Sequence, residues 1–161
     1  MVITIRRGTM SDYLGMQKSN LYCLPENYHM KFYIYHGTCW PELSWVAEDP
    51  QGRIVGYVLS KLEDEGPSTT PNAVTHGHIT SVAVLRSCRG NGIATKLMTQ
   101  ATREMRGLGA KFCSLHVRES NKAARHLYTE TMGFTVHNVE KKYYADGEDA
   151  YDCRLDLDKA E

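Results

Sequence analysis

The segment Arg86-Ser-Cys-Arg-Gly-Asn-Gly-Ile-Ala94 has the composition of an anion site and joins two stretches of different periodicity. Upstream, His78-Ile-Thr-Ser-Val-Ala-Val-Leu85 is rich in β-branched residues and predicts a strand. Downstream, Ile93, Leu97, Met98, Ala101 and Met105 fall on one face of a helix. Gly90 and Gly92 permit a tight turn, and the first N–H groups of the following helix have no intrahelical partners. Free amides at the positive end of a helix, with Arg86 and Arg89 alongside, suit the oxygens of a pyrophosphate. Taken alone, the same loop is equally an ordinary strand–helix turn.

Two common phosphate motifs are excluded by the order of residues. No Ser or Thr follows Lys96, so the loop is not G-x-x-x-x-G-K-[ST], and Thr95 stands where a dinucleotide fingerprint needs its third glycine. His76-Gly-His78 puts two imidazoles on one strand face, but two ligands without a cysteine or carboxylate cluster make a poor metal site, and none is expected. Cys88 has no neighbouring base in sequence and reads as a packing residue rather than a nucleophile.

Arg89-Gly-Asn-Gly92-Ile-Ala94 fits [QR]-x-x-G-x-[GA], and Asn121-Lys-Ala-Ala-Arg-His-Leu-Tyr128 with Met132-Gly-Phe134 fits N-x-x-A-x-x-L-Y-x-x-x-x-G-F. In this order the two motifs resemble the coenzyme A signatures of the GNAT acetyltransferase superfamily. Leu24-Pro-Glu-Asn-Tyr28, Gly77-His-Ile-Thr-Ser81, Ser114-Leu-His-Val-Arg118 and Lys142-Tyr-Tyr-Ala-Asp-Gly-Glu-Asp-Ala-Tyr151 extend the resemblance over nearly the whole chain. They are similar to the catalytic subunits of NatA N-terminal acetyltransferases.

The resemblance implies acetyl-CoA as cosubstrate, with no metal, and a set of site residues. The cofactor side comprises Val82, Ala83 and Val84, whose backbone lies along the pantetheine arm; Arg86, Arg89, Gly90, Asn91, Gly92, Ile93 and Ala94 around the pyrophosphate; and Asn121 and Tyr128. Leu24, Pro25, Glu26, Tyr28, Tyr33, Tyr143 and Tyr144 form the substrate side, although at least one of the tyrosines is expected in the core. Glu26 is the candidate base or orienting carboxylate, His116 a second base, and Tyr128 the acid that protonates or stabilises the leaving thiolate. Composition alone makes Glu26 a solvated loop residue, His116 a core histidine and Tyr128 part of a packing stripe with Ala124 and Leu127.

An α-amine, with a pKa of about 7.7–8.0, is deprotonated at neutral pH more readily than a lysine at about 10.4, so protein N-termini are the easier acceptors. The resemblance implies chains beginning with Ser, Ala, Thr or Gly after methionine removal, and acidic N-termini when the subunit acts alone. It also implies a large helical-repeat auxiliary subunit, the ribosome as a partner through that subunit, and a cytoplasmic location. A ribosomal-protein or lysine acetyltransferase of the same fold, and a non-catalytic coenzyme A-binding subunit, are the alternatives.

The elements that must position these residues read in the order β-α-α-β-β-β-α-β-α-β-β. The expected fold is α/β (α+β), a single GNAT domain over residues 1–161, with a mixed sheet of about seven strands splayed at the cofactor and about four helices. Thr9 and Asp12 open a first helix running to about Leu21, and a short helix spans His29 to Tyr35. Leu43–Glu48 and Arg53–Ser60 form a hairpin about Asp49-Pro-Gln-Gly52. Glu63 to Thr75 is expected to be an exposed loop. Ser120 is expected to cap the helix that ends before Gly133, and Phe134–Tyr144 and Ala150–Leu157 are the last strands.

Composition narrows the class. Nineteen basic and nineteen acidic residues cancel, so the total charge gives no reason to expect nucleic acid. No apolar run approaches the ~18 residues of a membrane span. Five scattered cysteines without a C-x-x-C pair argue against a disulfide framework and for a reducing compartment.

Overall fold

The computed structural model describes residues 1–65 and 73–159. Seven strands form one sheet in the order β1-β2-β3-β4-β5-β7-β6: β1 Thr4–Arg7, β2 Trp45–Glu48, β3 Ile54–Glu65, β4 Val74–Val84, β5 Phe112–Arg118, β6 Thr135–Glu140 and β7 Ala150–Asp156. Four α-helices accompany them: α1 Tyr13–Cys23, α2 Met30–Cys39, α3 Ile93–Gly107 and α4 Lys122–His126. Helices α1 and α2 pack on one face of the sheet, with Tyr13, Met16 and Tyr33 against Val46, Tyr57 and Leu59. Helix α3 packs on the other, with Leu97, Met98 and Met105 among Val58, Ala47 and Leu115. Alternation along β3 sends Tyr57 and Leu59 to one core and Val58 to the other, as the period of a strand requires.

Local chemistry explains the element ends. The Asp12 carboxylate accepts the Thr9 N–H at 2.8 Å and opens a 3₁₀ turn ahead of α1. Asp49 accepts the N–H groups of Gln51 and Arg53, at 3.0 and 2.9 Å, and so closes the β2–β3 hairpin. Several boundaries differ from the sequence expectation, and α2 runs past Tyr35 to Cys39. Glu63, Asp64 and Glu65 continue β3, paired with His76, Thr75 and Val74, so a two-stranded ladder extends into the expected loop; residues 66–72 lie outside the described residues. Asn121, not Ser120, caps α4, its Oδ1 accepting the Ala124 N–H at 3.1 Å. Strand β6 stops at Glu140, and Lys142 turns the chain with φ of +51°.

The sheet opens at one place. Strands β4 and β5 run parallel and pair only through Gly77↔Cys113 and His78↔Ser114. Gly77 makes room there for α3, because a Cβ would lie 2.2 Å from the Met105 sulfur and that buried side chain would have to move. Beyond this pair the two strands diverge without further pairing, leaving main-chain groups of Ile79–Val84 and Leu115–Arg118 free of a sheet partner on their facing edges. A register shift opposite Leu59 and Ser60 leaves Thr80 unpaired, a bulge at the start of the divergence.

Candidate active site

Two cavities, of about 550 Å³ and about 440 Å³, open from the divergence of β4 and β5. They share Cys23, Leu24, Val82, Asn121, Ala124 and Tyr128, so they meet along one wall.

The smaller cavity has the features of a phosphate cradle. It is lined by Val82–Val84, by Arg89, Gly90, Gly92, Ile93 and Ala94, and by Asn121 and Tyr128. Gly90 and Gly92 hold φ of +81° and +71°, a left-handed backbone costly for other residues, and a Cβ on either would meet open space. The requirement is therefore conformational rather than steric. Lys96 N–H makes the first α-helical bond, to Gly92 O at 3.0 Å, so the amides of Ile93, Ala94 and Thr95 are not used by the helix. Gly92 brings no side chain to cap them. These free amides, at the N-terminus of a 15-residue helix, fit a diphosphate.

Not every loop residue faces that space. Arg89 Nε donates to Val84 O at 2.8 Å, which fastens the loop to the end of β4 and leaves its terminal nitrogens for a ligand. Asn91 braces the loop through Nδ2 to Cys88 O at 3.0 Å, and neither Asn91 nor Arg86 lines the cavity. Asn121 spends its carbonyl on the α4 cap, leaving its amide N–H groups to donate.

The larger cavity carries the titratable groups. Leu24, Pro25, Glu26 and Tyr28 reach it from the α1–α2 loop, His116 and Arg118 from β5, and Tyr143 and Tyr144 from the β6–β7 loop. Tyr33 does not line it. It is fully buried in the α1–α2 core, edge-on to Tyr28 at 6.4 Å and Tyr57 at 6.5 Å. The Glu26 carboxylate accepts from Arg118 Nε at 2.9 Å and also from Nη2. The same guanidinium donates through Nη1 to Asp146 and Glu148, each at 2.8 Å, and lies over the Tyr144 ring at 4.0 Å. His116 stacks on Tyr143 at 4.4 Å, with its buried Nδ1 unpartnered.

Tyr128 lies on the shared wall, in a π-helical turn after α4, 8 % exposed. Burial pushes its hydroxyl up to about 12, so it stays a proton donor at neutral pH. His78, absent from the sequence-based set, joins the larger cavity and contacts Ser114 Oγ through Nδ1 at 2.8 Å. Burial pushes its imidazole down to about 4. His76 instead stacks on Phe112 at 4.6 Å beside Glu63, and among the described residues no group of three His, Cys, Asp or Glu could hold a metal. Arg118 was also missed. The sequence signal was present, since it closes the Ser114–Arg118 segment, but its carboxylate partners are far away along the chain.

Comparison with known proteins agrees with this geometry. Residues 13–134 match the Acetyltransferase (GNAT) family. The chain is 57% identical over 157 residues to NAA10, the N-terminal acetyltransferase A complex catalytic subunit of Arabidopsis thaliana, covering 97% of this chain and 79% of that protein. It is 56% identical over 154 residues to ard1, the corresponding subunit of Schizosaccharomyces pombe, covering 95% and 85%. Chaetomium thermophilum Naa20 in complex with a bisubstrate analogue superimposes with a TM-score of 0.84 at 36% identity, covering 95% of this chain and 86% of that one. The chain belongs to the GNAT acetyltransferase family, among the NAA10/ard1 catalytic subunits of N-terminal acetyltransferases.

Proposed function

We propose that this chain transfers the acetyl group of acetyl-CoA to the α-amino group of protein N-termini, by direct attack within a ternary complex. The observation that carries the reading is the meeting of two cavities at Tyr128, one built around free helix amides and the other around Glu26. Coenzyme A supplies the acetyl group as a thioester, and the residues supply the proton chemistry. Glu26, directly or through a water, accepts the proton that the amine gives up, with His116 a second acceptor on the facing strand. The amine nitrogen bonds to the carbonyl carbon, the carbon–sulfur bond breaks, and the Tyr128 hydroxyl gives a proton to the departing thiolate. Unpaired main-chain N–H groups of β4 are the donors available to the developing oxyanion.

On this reading Tyr28, Tyr143 and Tyr144 wall the path of the first substrate residues. The acceptors in complex are chains beginning with Ser, Ala, Thr or Gly, and the chain acting alone takes acidic N-termini. A large helical-repeat auxiliary subunit binds the catalytic subunit and brings it to the ribosome in the cytoplasm. Support for a protein partner comes from α1 and the turn before it, where Met10, Leu14, Leu21 and Tyr22 are each more than half exposed. A solved relative is a NatC complex bound to a Gag peptide and CoA, with a TM-score of 0.87 at 28% identity, covering 97% of this chain and 99% of that chain.

The test is acetyl-CoA turnover on peptides beginning with Ser, Ala, Met, Asp or Glu, with and without the auxiliary subunit. Acetylated α-amines, with the subunit moving preference from acidic to small first residues, support the reading. Coenzyme A binding without turnover in either state contradicts it.

A further inference from the structure

The Arg118 contact holds the Glu26 carboxylate by its far end; a second, buried contact holds Glu26 by its main chain. Asn20 lies near the end of α1 with no solvent exposure, and its Nδ2 donates to Glu26 O at 2.9 Å and to Tyr57 Oη at 3.1 Å. Tyr57, also fully buried, shares a 2.7 Å hydrogen bond with Ser81 Oγ, and Ser81 lines the larger cavity next to the Thr80 bulge. The chain Glu26–Asn20–Tyr57–Ser81 thus ties the α1–α2 loop to the diverging edge of β4.

Stability gives little reason for this arrangement. Asn is among the weaker helix formers. Its Oδ1 is buried without a partner, which costs free energy that an apolar side chain of similar size would avoid. Leu24 N–H already closes the helix on Asn20 O without help from the side chain. What the carboxamide adds is a fixed height of the Glu26 main chain above β4, and proton transfer at this site depends on that placement.

We propose that Asn20 is a positioning residue for Glu26, acting through the main chain while Arg118 acts through the carboxylate. The inference rests on the acetyltransferase reading with Glu26 as proton acceptor. Asn20→Leu removes the donor together with the unpartnered Oδ1 and keeps a side chain of similar size, so the seat of Glu26 is lost.

The experiment is a double-mutant cycle on peptide acetylation with Asn20→Leu, Glu26→Gln and the pair, together with thermal unfolding of each protein. Asn20→Leu is expected to lower kcat by roughly 10- to 100-fold. The KM for acetyl-CoA stays close to that of the parent, and a cooperative unfolding transition shows that the variant is folded. In the Glu26→Gln background the same change is expected to have little further effect, because the group it positions is gone. Additive losses, or full activity in Asn20→Leu, overturn the proposal. Asn20→Ala repeats the cycle if the leucine variant does not fold. An inactive parent chain would instead count against the acetyltransferase reading itself, and a Glu26→Gln variant with parental activity would count against the role of Glu26.

Discussion

Arg118 and Glu26, 92 residues apart in sequence, meet through Arg118 Nε and Glu26 Oε1 at 2.9 Å. Because Arg118 also holds Asp146 and Glu148, one guanidinium fastens both rims of the larger cavity to the end of β5. A planar fork spreads its N–H donors over three nitrogens and reaches carboxylates on different sides; an ammonium offers its donors from a single point.

Arg118→Lys is therefore expected to reduce kcat/KM for peptide by roughly 10- to 100-fold, through both Glu26 and the rim. Amide exchange across residues 142–149 should rise in the same variant. Exchange unchanged from the parent would mean that the rim is held by its own turns, such as Gly147 N–H to Tyr144 O at 2.8 Å.

Gly92→Ala tests the cradle. The left-handed backbone at φ +71° disfavours alanine by about 1–2 kcal/mol. A Cβ meets nothing, so the fold should survive with a lower unfolding temperature. The KM for acetyl-CoA should rise, while kcat at saturation stays near the parent value. An unchanged KM would show that the free amides do not hold the cosubstrate.

Tyr128→Phe removes one oxygen from the shared wall and leaves its packing on Phe134, at 6.1 Å between ring centroids. If the hydroxyl protonates the thiolate, kcat falls by about 100-fold or more with little change in the KM for acetyl-CoA. Since the hydroxyl titrates near 12, it should contribute no limb to the rate profile between pH 6 and about pH 10.

The half-buried His78 predicts an acid-sensitive fold. It titrates near 4 in the folded protein against 6.5 ordinarily, with burial opposed by Glu63 and assisted by His116, Lys61 and His76. The unfolded chain therefore takes up the proton first. His78's contribution to stability is complete above about pH 6.5 and is lost as the pH falls through 4. The unfolding temperature should decline over that interval, and less steeply in His78→Asn. Parallel declines would place the acid sensitivity elsewhere, for example in Glu63, whose carboxyl Lys61 holds below its usual range against the opposing effect of burial.

Local signals in the sequence were sufficient for most of the fold and for the cradle. The face formed by Ile93, Leu97, Met98, Ala101 and Met105 is buried as its spacing requires, and Gly90 and Gly92 take the backbone for which glycine is suited. Non-local facts were not legible. Tyr28 and Tyr33 are aromatic residues five apart, yet Tyr28 faces the cavity from the α1–α2 loop while Tyr33, inside α2, is turned into the core. The roles of Arg118 and Asn20 depend on partners brought together by the sheet and the α1–α2 packing, and periodicity carries no trace of such contacts. The β3–β4 ladder past Ser60 was hidden by the Pro- and Thr-rich composition of the segment that follows it.

The most direct test offers the purified chain one peptide carrying both a free Ser α-amine and an internal lysine, with acetyl-CoA, and locates the product acetyl group by fragment mass spectrometry. The account predicts acetylation at the α-amine, abolished or sharply reduced in Glu26→Gln and Tyr128→Phe. Acetyl found on the lysine with the α-amine left free would contradict it.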